Sequence, residues 1–439
     1  MDRQILRIAL PSIVSNIIVP LLGLIDLTIA GHLGATAFIG AVSVGATMFN
    51  LTYWNFGFLR MGTSGMTAQA CGAGDLHEAL RILFRSVTLA IAIGAAIIVL
   101  QYPIRWILLY AISPGEEVRG YVLTYFGICV WGAPALLSTL AVSGWFLGMQ
   151  NSFYPMAVSI SVNIVNIVAS LLCVFVLGMG FAGIAVGTLV AQWAGFAISL
   201  ILLAKTIRKK GIPVKIDRVG LFSRMGRFFR VNGDIFMRSL CLMLVTLFFT
   251  SAGARSGDTV LAVNALIMQL FMLYSYFMDG FAFAGEALAG KFAGEGNIKA
   301  LRRCTTRLFM WGTAVMLLFS AAYGLAGNGI MSLLTDDVSV LTAASPYRWW
   351  AAAIPVAGMA AFIWDGIYIG LTATRGMLAA LFAATAMFFL CYYGLELILP
   401  GIEPNFRLWT AFIVYLASRG IIQTLISGKV ITSSVGGIS

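Results

Sequence analysis

A single carboxylate in a stretch that otherwise reads as hydrocarbon sets the chemical question for this 439-residue chain. The segment ALPSIVSNIIVPLLGLIDLTIAGHLG, residues 9–34, places Asp26 six positions after Pro20, with a second proline at Pro11. Proline removes a backbone donor and weakens the helix in the turn before it. A carboxylate in such a run is costly unless it pairs, meets water or takes up a proton. A bendable helix with one protonatable group is what a proton-driven switch requires. Asp26 falls roughly 30 Å along its helix at 1.5 Å per residue, in the outer half of a membrane. Two readings stand: an interfacial carboxylate wetted by solvent, or a cavity acid that binds and releases a proton. No Lys or Arg lies near it in sequence, which favours exchange over a fixed salt bridge.

Other polar groups fall inside apolar runs. Asp234 and Arg238 are four apart in NGDIFMRSL, acid before base, the spacing of a local ion pair. Asp279 and Glu286 share one helix face in YFMDGFAFAGEALAG, and Asp365 follows Pro355 in a second proline-plus-acid segment. Asp279, Glu286 and Asp365 are candidates for a polar cluster that binds a cation or neutralises Arg60 or Arg238. Asn163, Asn166, Ser170, Thr188 and Gln192 form a polar stripe, with Asn166/Ser170 and Thr188/Gln192 each on one helix face. Such a stripe either bonds helix to helix or lines the same cavity as Asp26.

The elements that must position these groups are membrane spans. The chain is 60% hydrophobic and 10% charged, against roughly 25% charged in soluble domains. Twelve apolar spans are expected near 6–32, 38–68, 86–110, 121–146, 153–177, 181–204, 233–254, 260–288, 308–333, 347–370, 376–399 and 406–427. The polar connections are 69–85, 205–232 and 289–307. The fold class is therefore an all-α polytopic membrane protein with twelve transmembrane helices. The N-terminus, even-numbered loops and C-terminal end carry 21 Lys and Arg, and the opposite connections five: Arg105, Arg119, Arg255, Arg348 and Arg407. That asymmetry predicts that both termini are cytoplasmic, and it explains the net charge of +11 without nucleic acid as a partner. The start, MDRQILRIAL, lacks the small-residue cleavage site of a signal peptide, so the first span is expected to be retained.

An internal repeat divides the chain. AGDLHEALR after the second span is matched by GEGNIKALR after the eighth, about 221 residues later, and Ala41-Val42-Ser43 by Ala262-Val263-Asn264. Six spans separate the copies, so the repeat is parallel, about an axis along the membrane normal. The expected organisation is an N-lobe, 1–204, a basic cytoplasmic linker, 205–232, and a C-lobe, 233–439, two pseudo-symmetric six-helix bundles. The six cysteines are scattered without metal-ligand spacing, so neither a metal site nor a disulfide framework is expected. No phosphate-binding glycine loop occurs. With only His32 and His77 and no DDxxD, a membrane enzyme is not supported and no cofactor is expected.

At this level the chain resembles the multidrug and toxic compound extrusion (MATE) transporters, DinF-like subfamily. The stretches that carry the resemblance, beyond the first span, are FLRMGTSGMTAQACGAGD, SGWFLGMQNSFYP, NIVNIV, GIAVGTLVAQW, NGDIFMRSL, AVNALIMQLFMLYSYFMDGFAFAGEA and IWDGIYIG, spread to the tenth span. The resemblance implies two lobes around a cavity, and export of small amphipathic, often cationic, organic compounds in exchange for H+ or Na+. It implies that Asp26 is the proton-coupling acid, that helix 1 bends at Pro11 or Pro20, and that Asn166 and Thr188 are its partners. Many relatives carry a second aspartate where this chain has Ser170, which leaves Asp26 as the proton carrier and favours H+ over Na+. A monomer in a bacterial-type inner (plasma) membrane, in contact with membrane lipids, is expected. The rival within the superfamily is a lipid or oligosaccharide-lipid flippase, against which stands the scarcity of in-span cations beyond Arg60 and Arg238.

Overall fold

The computed structural model describes residues 1–33, 35–212 and 225–436. Positions 213–224 of the expected basic linker lie outside the described residues. Lipid offers backbone N–H and C=O groups no partner, so an apolar chain closes those bonds within helices. All regular elements among the described residues are helical. Eleven helical stretches there are long and apolar enough to cross a membrane. The twelfth crossing is Thr36–Gly72, split by a short tight turn at Trp54–Gly57 into α2 (Thr36–Tyr53) and α3 (Phe58–Gly72). The protein is a twelve-helix membrane protein.

The chain forms two compact units, one of Val14–Asn232 and one of Met1–Ile13 with Gly233–Ser439. α1 (Asp2–Gly31) runs unbroken through Pro11 and Pro20 and contributes to both. Its first turns are tied to the second unit: Asp2 faces Arg307 at 3.7 Å and accepts from Trp311 Nε1 at 3.3 Å. The first unit continues with α4 (Leu76–Val99), α5 (Gln101–Ile112), α6 (Glu116–Cys129), α7 (Ala133–Gly148), α8 (Phe153–Leu171) and α9 (Phe181–Lys210). The second holds most of α10 (Met225–Arg255), then α11 (Asp258–Gly294), α12 (Ile298–Ser332), α13 (Val338–Ala344), α14 (Arg348–Gly370), α15 (Thr374–Ile398) and α16 (Pro404–Gly436).

The sequence repeat reappears as geometry. Asp75 caps α4 by accepting the Glu78 N–H at 2.9 Å, and Asn297 caps α12 by accepting the Ala300 N–H at 2.9 Å. Each cap follows a left-handed glycine, Gly74 (φ 76°) and Gly296 (φ 69°), a conformation a side chain would oppose. The expected polar connections 69–85 and 289–307 are thus mostly helix around a tight turn. Polar residues continue a helix beyond the apolar core at no cost to its hydrogen bonds.

The same correspondence fixes each unit's core. In the first, α7 lies so close to α3 that a methyl on Gly144 would strike the Arg60 carbonyl; in the second, Gly366 of α14 meets the Ala282 carbonyl of α11 in the same way. Tight backbone approach is how membrane helices gain packing where lipid gives no hydrophobic drive. Around these contacts three buried aromatic tips find backbone acceptors. Trp145 donates to the Ala79 carbonyl at 2.9 Å, Tyr274 to Pro355 at 3.1 Å and Tyr323 to Leu270 at 2.8 Å.

Candidate functional site

In the first unit the polar groups converge on Asp26, which α1 holds 3% exposed. Thr188 of α9 donates to Asp26 Oδ2 at 3.0 Å, and Tyr125 of α6 reaches the same oxygen at 3.5 Å. Asn166 of α8 donates through Nδ2 to Thr188 Oγ1 at 3.1 Å. The local fold explains the meeting. α8 and α9 close on each other where Gly187 lies against Ser170, with no room for a side chain between them. That approach brings Asn166 and Thr188 into bonding distance. On the other side, the Tyr125 ring rests on Gly45, where a methyl would come within 2.5 Å of it.

The arrangement holds one informative redundancy. Thr188 Oγ1 lies 3.0 Å from Asp26 Oδ2 and 3.2 Å from the Ile184 carbonyl, yet a hydroxyl carries one proton and two lone pairs. It donates to an ionised Asp26, or accepts from a protonated one while turning its own proton to Ile184. Both charge states of Asp26 therefore fit the same heavy-atom positions. Asp26 Oδ1 and Asn166 Oδ1 are buried acceptors without a hydrogen-bond partner.

The remaining stripe residues are placed around this core. Ser170 is fully buried against Gly187 and its hydroxyl has no partner. Gln192 packs over Gly132 with Oε1 unpartnered. Asn163 belongs to a separate chain, donating to the Ser159 carbonyl at 3.0 Å while Ser159 and Ser15 share a bond of 2.9 Å. Tyr125 was not among the sequence candidates; one phenol among 14 tyrosines carries no sequence signal of its own.

The second unit buries a different kind of cluster. Asp365 of α14 is bound through Oδ2 by Arg238 of α10 and Arg419 of α16, and through Oδ1 by Gln423 Nε2 at 2.7 Å. Arg419 also lies over the Tyr415 ring at 5.6 Å. The expected Asp234–Arg238 pair is replaced by cross-helix partners: Arg238 goes to Asp365, and Asp234 accepts from Thr374 at 2.6 Å. A buried carboxylate draws a guanidinium more strongly than a carboxylate at a wetter helix end. Arg419 and Gln423 were missed in sequence; as an i, i+4 pair inside an apolar span, ASRGIIQTL, they were open to recognition. Glu286 is 1% exposed and Asp279 half-buried, both on α11. Among the described residues no three His, Cys, Asp or Glu gather where they could hold a metal ion.

The comparisons agree with this architecture. The MatE family model matches residues 11–172 and 235–393. The chain is 36% identical over 420 residues to DNA damage-inducible protein F of Escherichia coli (strain K12), spanning 96% of this chain and 90% of that protein. It is 26% identical over 431 residues to Protein DETOXIFICATION 44, chloroplastic, of Arabidopsis thaliana, spanning 95% and 80%. A solved structure described as the outward-facing conformation of a multidrug resistance MATE family transporter of the MOP superfamily superposes with a TM-score of 0.83 at 18% identity, covering 98% of this chain and 96% of that one. Together with the twelve apolar helices and the paired units, these matches identify the chain as a member of the MatE family of multidrug efflux transporters, a multi-pass membrane transporter and not an enzyme.

Proposed function

We propose that the protein exports small amphipathic, often cationic, organic compounds by H+-coupled antiport with alternating access, and that Asp26 carries the proton. The observation behind this reading is the Thr188–Asp26 contact at 3.0 Å with its second acceptor at Ile184. A proton exchanger must accept two charge states at one site without rebuilding it, and this hydroxyl allows that. In the proposed cycle both termini are cytoplasmic, and the protein works as a monomer of two lobes, 1–204 and 233–439. A proton arriving from outside neutralises Asp26, α1 reorganises near Pro20 or Pro11, and substrate leaves. Return to the inward-facing state releases the proton and restores substrate binding. Asn166, Ser170, Thr188 and Gln192 supply the polar lining, with Asn163 one turn away. A potential of 100 mV contributes about 2.3 kcal/mol per charge moved. One proton exchanged for a neutral substrate then sustains a concentration ratio of roughly 50 from that source.

Na+ coupling is the second reading, favoured by the unpartnered oxygens Asp26 Oδ1, Asn166 Oδ1 and Ser170 Oγ. A cation would satisfy these acceptors, and one proton on Asp26 satisfies fewer. Proton coupling is preferred because only one carboxylate stands in the cluster, and a hard cation is normally held by several oxygen ligands with more charge. Proteoliposomes separate the two. With an imposed pH gradient and no Na+, wild type is expected to drive substrate flux and Asp26→Asn to abolish it. Flux that follows a Na+ gradient alone, or that survives in Asp26→Asn, overturns the assignment.

A further inference from the structure

The second unit keeps the repeat's architecture but replaces its chemistry at one place. The offset of 222 that carries Gly144 onto Gly366, one residue more than the 221 of the sequence repeat, carries Asp26 onto Phe248, Asn166 onto Phe388 and Ser170 onto Tyr392. These three also meet: the Phe248 ring lies 5.7 Å from Phe388 and 5.2 Å from Tyr392. Where one unit has Asp26, Asn166 and Ser170, the other has an aromatic wall; the direct donors to Asp26, Thr188 and Tyr125, fall on Thr410 and Tyr347, outside that wall.

Beside that wall opens a cavity of about 450 Å³ lined by Phe248, Arg255, Tyr392, Tyr393, Asn405 and Arg407, among others. It adjoins a second of about 310 Å³ that shares Val260, Glu403 and Asn405. Two buried donors at this junction complete no hydrogen bond, Asn405 Nδ2 and Arg407 Nε. Asn405 is 1% exposed and Arg407 8%.

The orientation of the Asn405 amide follows from a chain of fixed roles. Indole N–H can only donate, so Trp409 Nε1, at 2.8 Å, assigns the Asn264 oxygen as acceptor. Asn264 Nδ2 must then donate to Asn405 Oδ1 at 2.7 Å. The Asn405 NH2 is what remains; it completes no hydrogen bond, and the Tyr347 hydroxyl is the acceptor it leans towards. The cavity's own carboxylates are already engaged: Glu396 lies 3.2 Å from Arg407, and Glu403 accepts from Tyr347 at 2.8 Å. Both spare donors stand in the first turn of α16, where the helix dipole favours negative charge. Arg255 adds an exposed cation at the rim.

We propose that this cavity binds the oxyanion group, carboxylate or phosphate, of a compound whose apolar body lies on Phe248, Tyr392 and Tyr393. The ligand's oxygens take the Asn405 amide and the Arg407 Nε–H, and Arg255 closes over it. The site is distinct from Asp26 and does not depend on which ion drives transport. A water-filled hollow is the competing occupant, since ordered water also satisfies buried donors.

The test is equilibrium binding of benzoate, phenyl phosphate and trimethylphenylammonium to the full-length protein in phosphatidylcholine nanodiscs. Both anions are expected to saturate, with the cation weaker by at least about ten-fold. Asn405→Asp keeps the acceptor that Asn264 needs and turns the spare donor into a negative oxygen. It is expected to weaken both anions by at least about ten-fold, in protein that a melting curve shows to be folded, with some stability lost to burying the carboxylate. Arg255→Gln, at an exposed position, is expected to weaken them less. Repeating the titration with phosphatidylglycerol in the nanodisc distinguishes sources: competition in wild type assigns a lipid phosphate, and its lack a free anion. Equal affinity for anions and cation, no saturable anion binding, or anion affinity unchanged in Asn405→Asp overturns the proposal.

Discussion

Thr188 and Asp26, 162 residues apart in sequence, meet at 3.0 Å through a hydroxyl that also has the Ile184 carbonyl within 3.2 Å. Thr188→Val keeps the shape and removes this exchangeable donor. It also leaves Asn166 Nδ2 without its acceptor. Leaving buried polar groups unsatisfied costs about 1–3 kcal/mol each. Substrate-induced proton release from purified protein is expected to fall by roughly ten-fold, since about 1.4 kcal/mol corresponds to that factor. Thr188→Ser retains the hydroxyl and is expected to stay near wild type. A loss in Thr188→Ser with Thr188→Val near wild type would mean that the methyl group, not the hydroxyl, is what the site needs.

Tyr125 shares the same Asp26 oxygen at 3.5 Å, the outer limit of a hydrogen bond. Its ring still fills the space over Gly45 when the hydroxyl is removed. Tyr125→Phe is therefore expected to reduce pH-driven flux by only about two-fold, in line with roughly 0.5 kcal/mol for a weak bond. A loss as large as that of Thr188→Val would promote Tyr125 to an equal partner of the carboxylate.

The legible part of this site was the part whose cost is written in composition. Asp26 stands out because a carboxylate in an apolar run demands a reason, and Asn166 and Thr188 because amide and hydroxyl groups recur at helical spacing. Tyr125 was not legible: phenols are common in membrane helices, and its direction depends on Gly45, 80 positions earlier in the chain. Arg419 is legible as a cation four residues before Gln423 in an apolar run, but its partner Asp365 stands in another helix and leaves no mark in that run. The break at Trp54–Gly57 was also unreadable, because WNFG contains no proline to mark it. For Tyr125 and Arg419, what sequence omits is a contact between distant helices.

The Asp365 cluster yields a stability prediction with a built-in control. Its carboxylate holds two buried guanidinium groups, and removing one member of a buried ionic cluster costs about 3–5 kcal/mol. Asp365→Asn is expected to lower thermal stability in detergent by that order. The combined replacement Arg238→Met, Asp365→Leu, Arg419→Met removes all three charges and is expected to recover most of the loss. Retained pH-driven transport in the combined variant would assign the cluster to architecture. Loss of transport in a variant as stable as wild type would assign it a part in the cycle.

The close helix approaches offer the sharpest comparison, because the repeat supplies each experiment twice. A methyl at Gly144 meets the Arg60 carbonyl, and one at Gly366 meets the Ala282 carbonyl. Both obstacles are helix backbone, which cannot swing aside as a side chain can. Overpacking of a tight core costs about 1–3 kcal/mol, and the helices here must separate rather than repack. Gly144→Ala and Gly366→Ala are each expected to lower the melting temperature, by similar amounts if the two units use equivalent packing. Gly394 provides the control: it lies inside α15 with nothing within 4 Å of an added methyl. Gly394→Ala is expected to be neutral or to stabilise by up to about 1 kcal/mol, because alanine loses less backbone freedom in a helix. A stable Gly366→Ala beside a destabilised Gly144→Ala would show that the second unit tolerates movement between α11 and α14 that the first does not allow between α3 and α7.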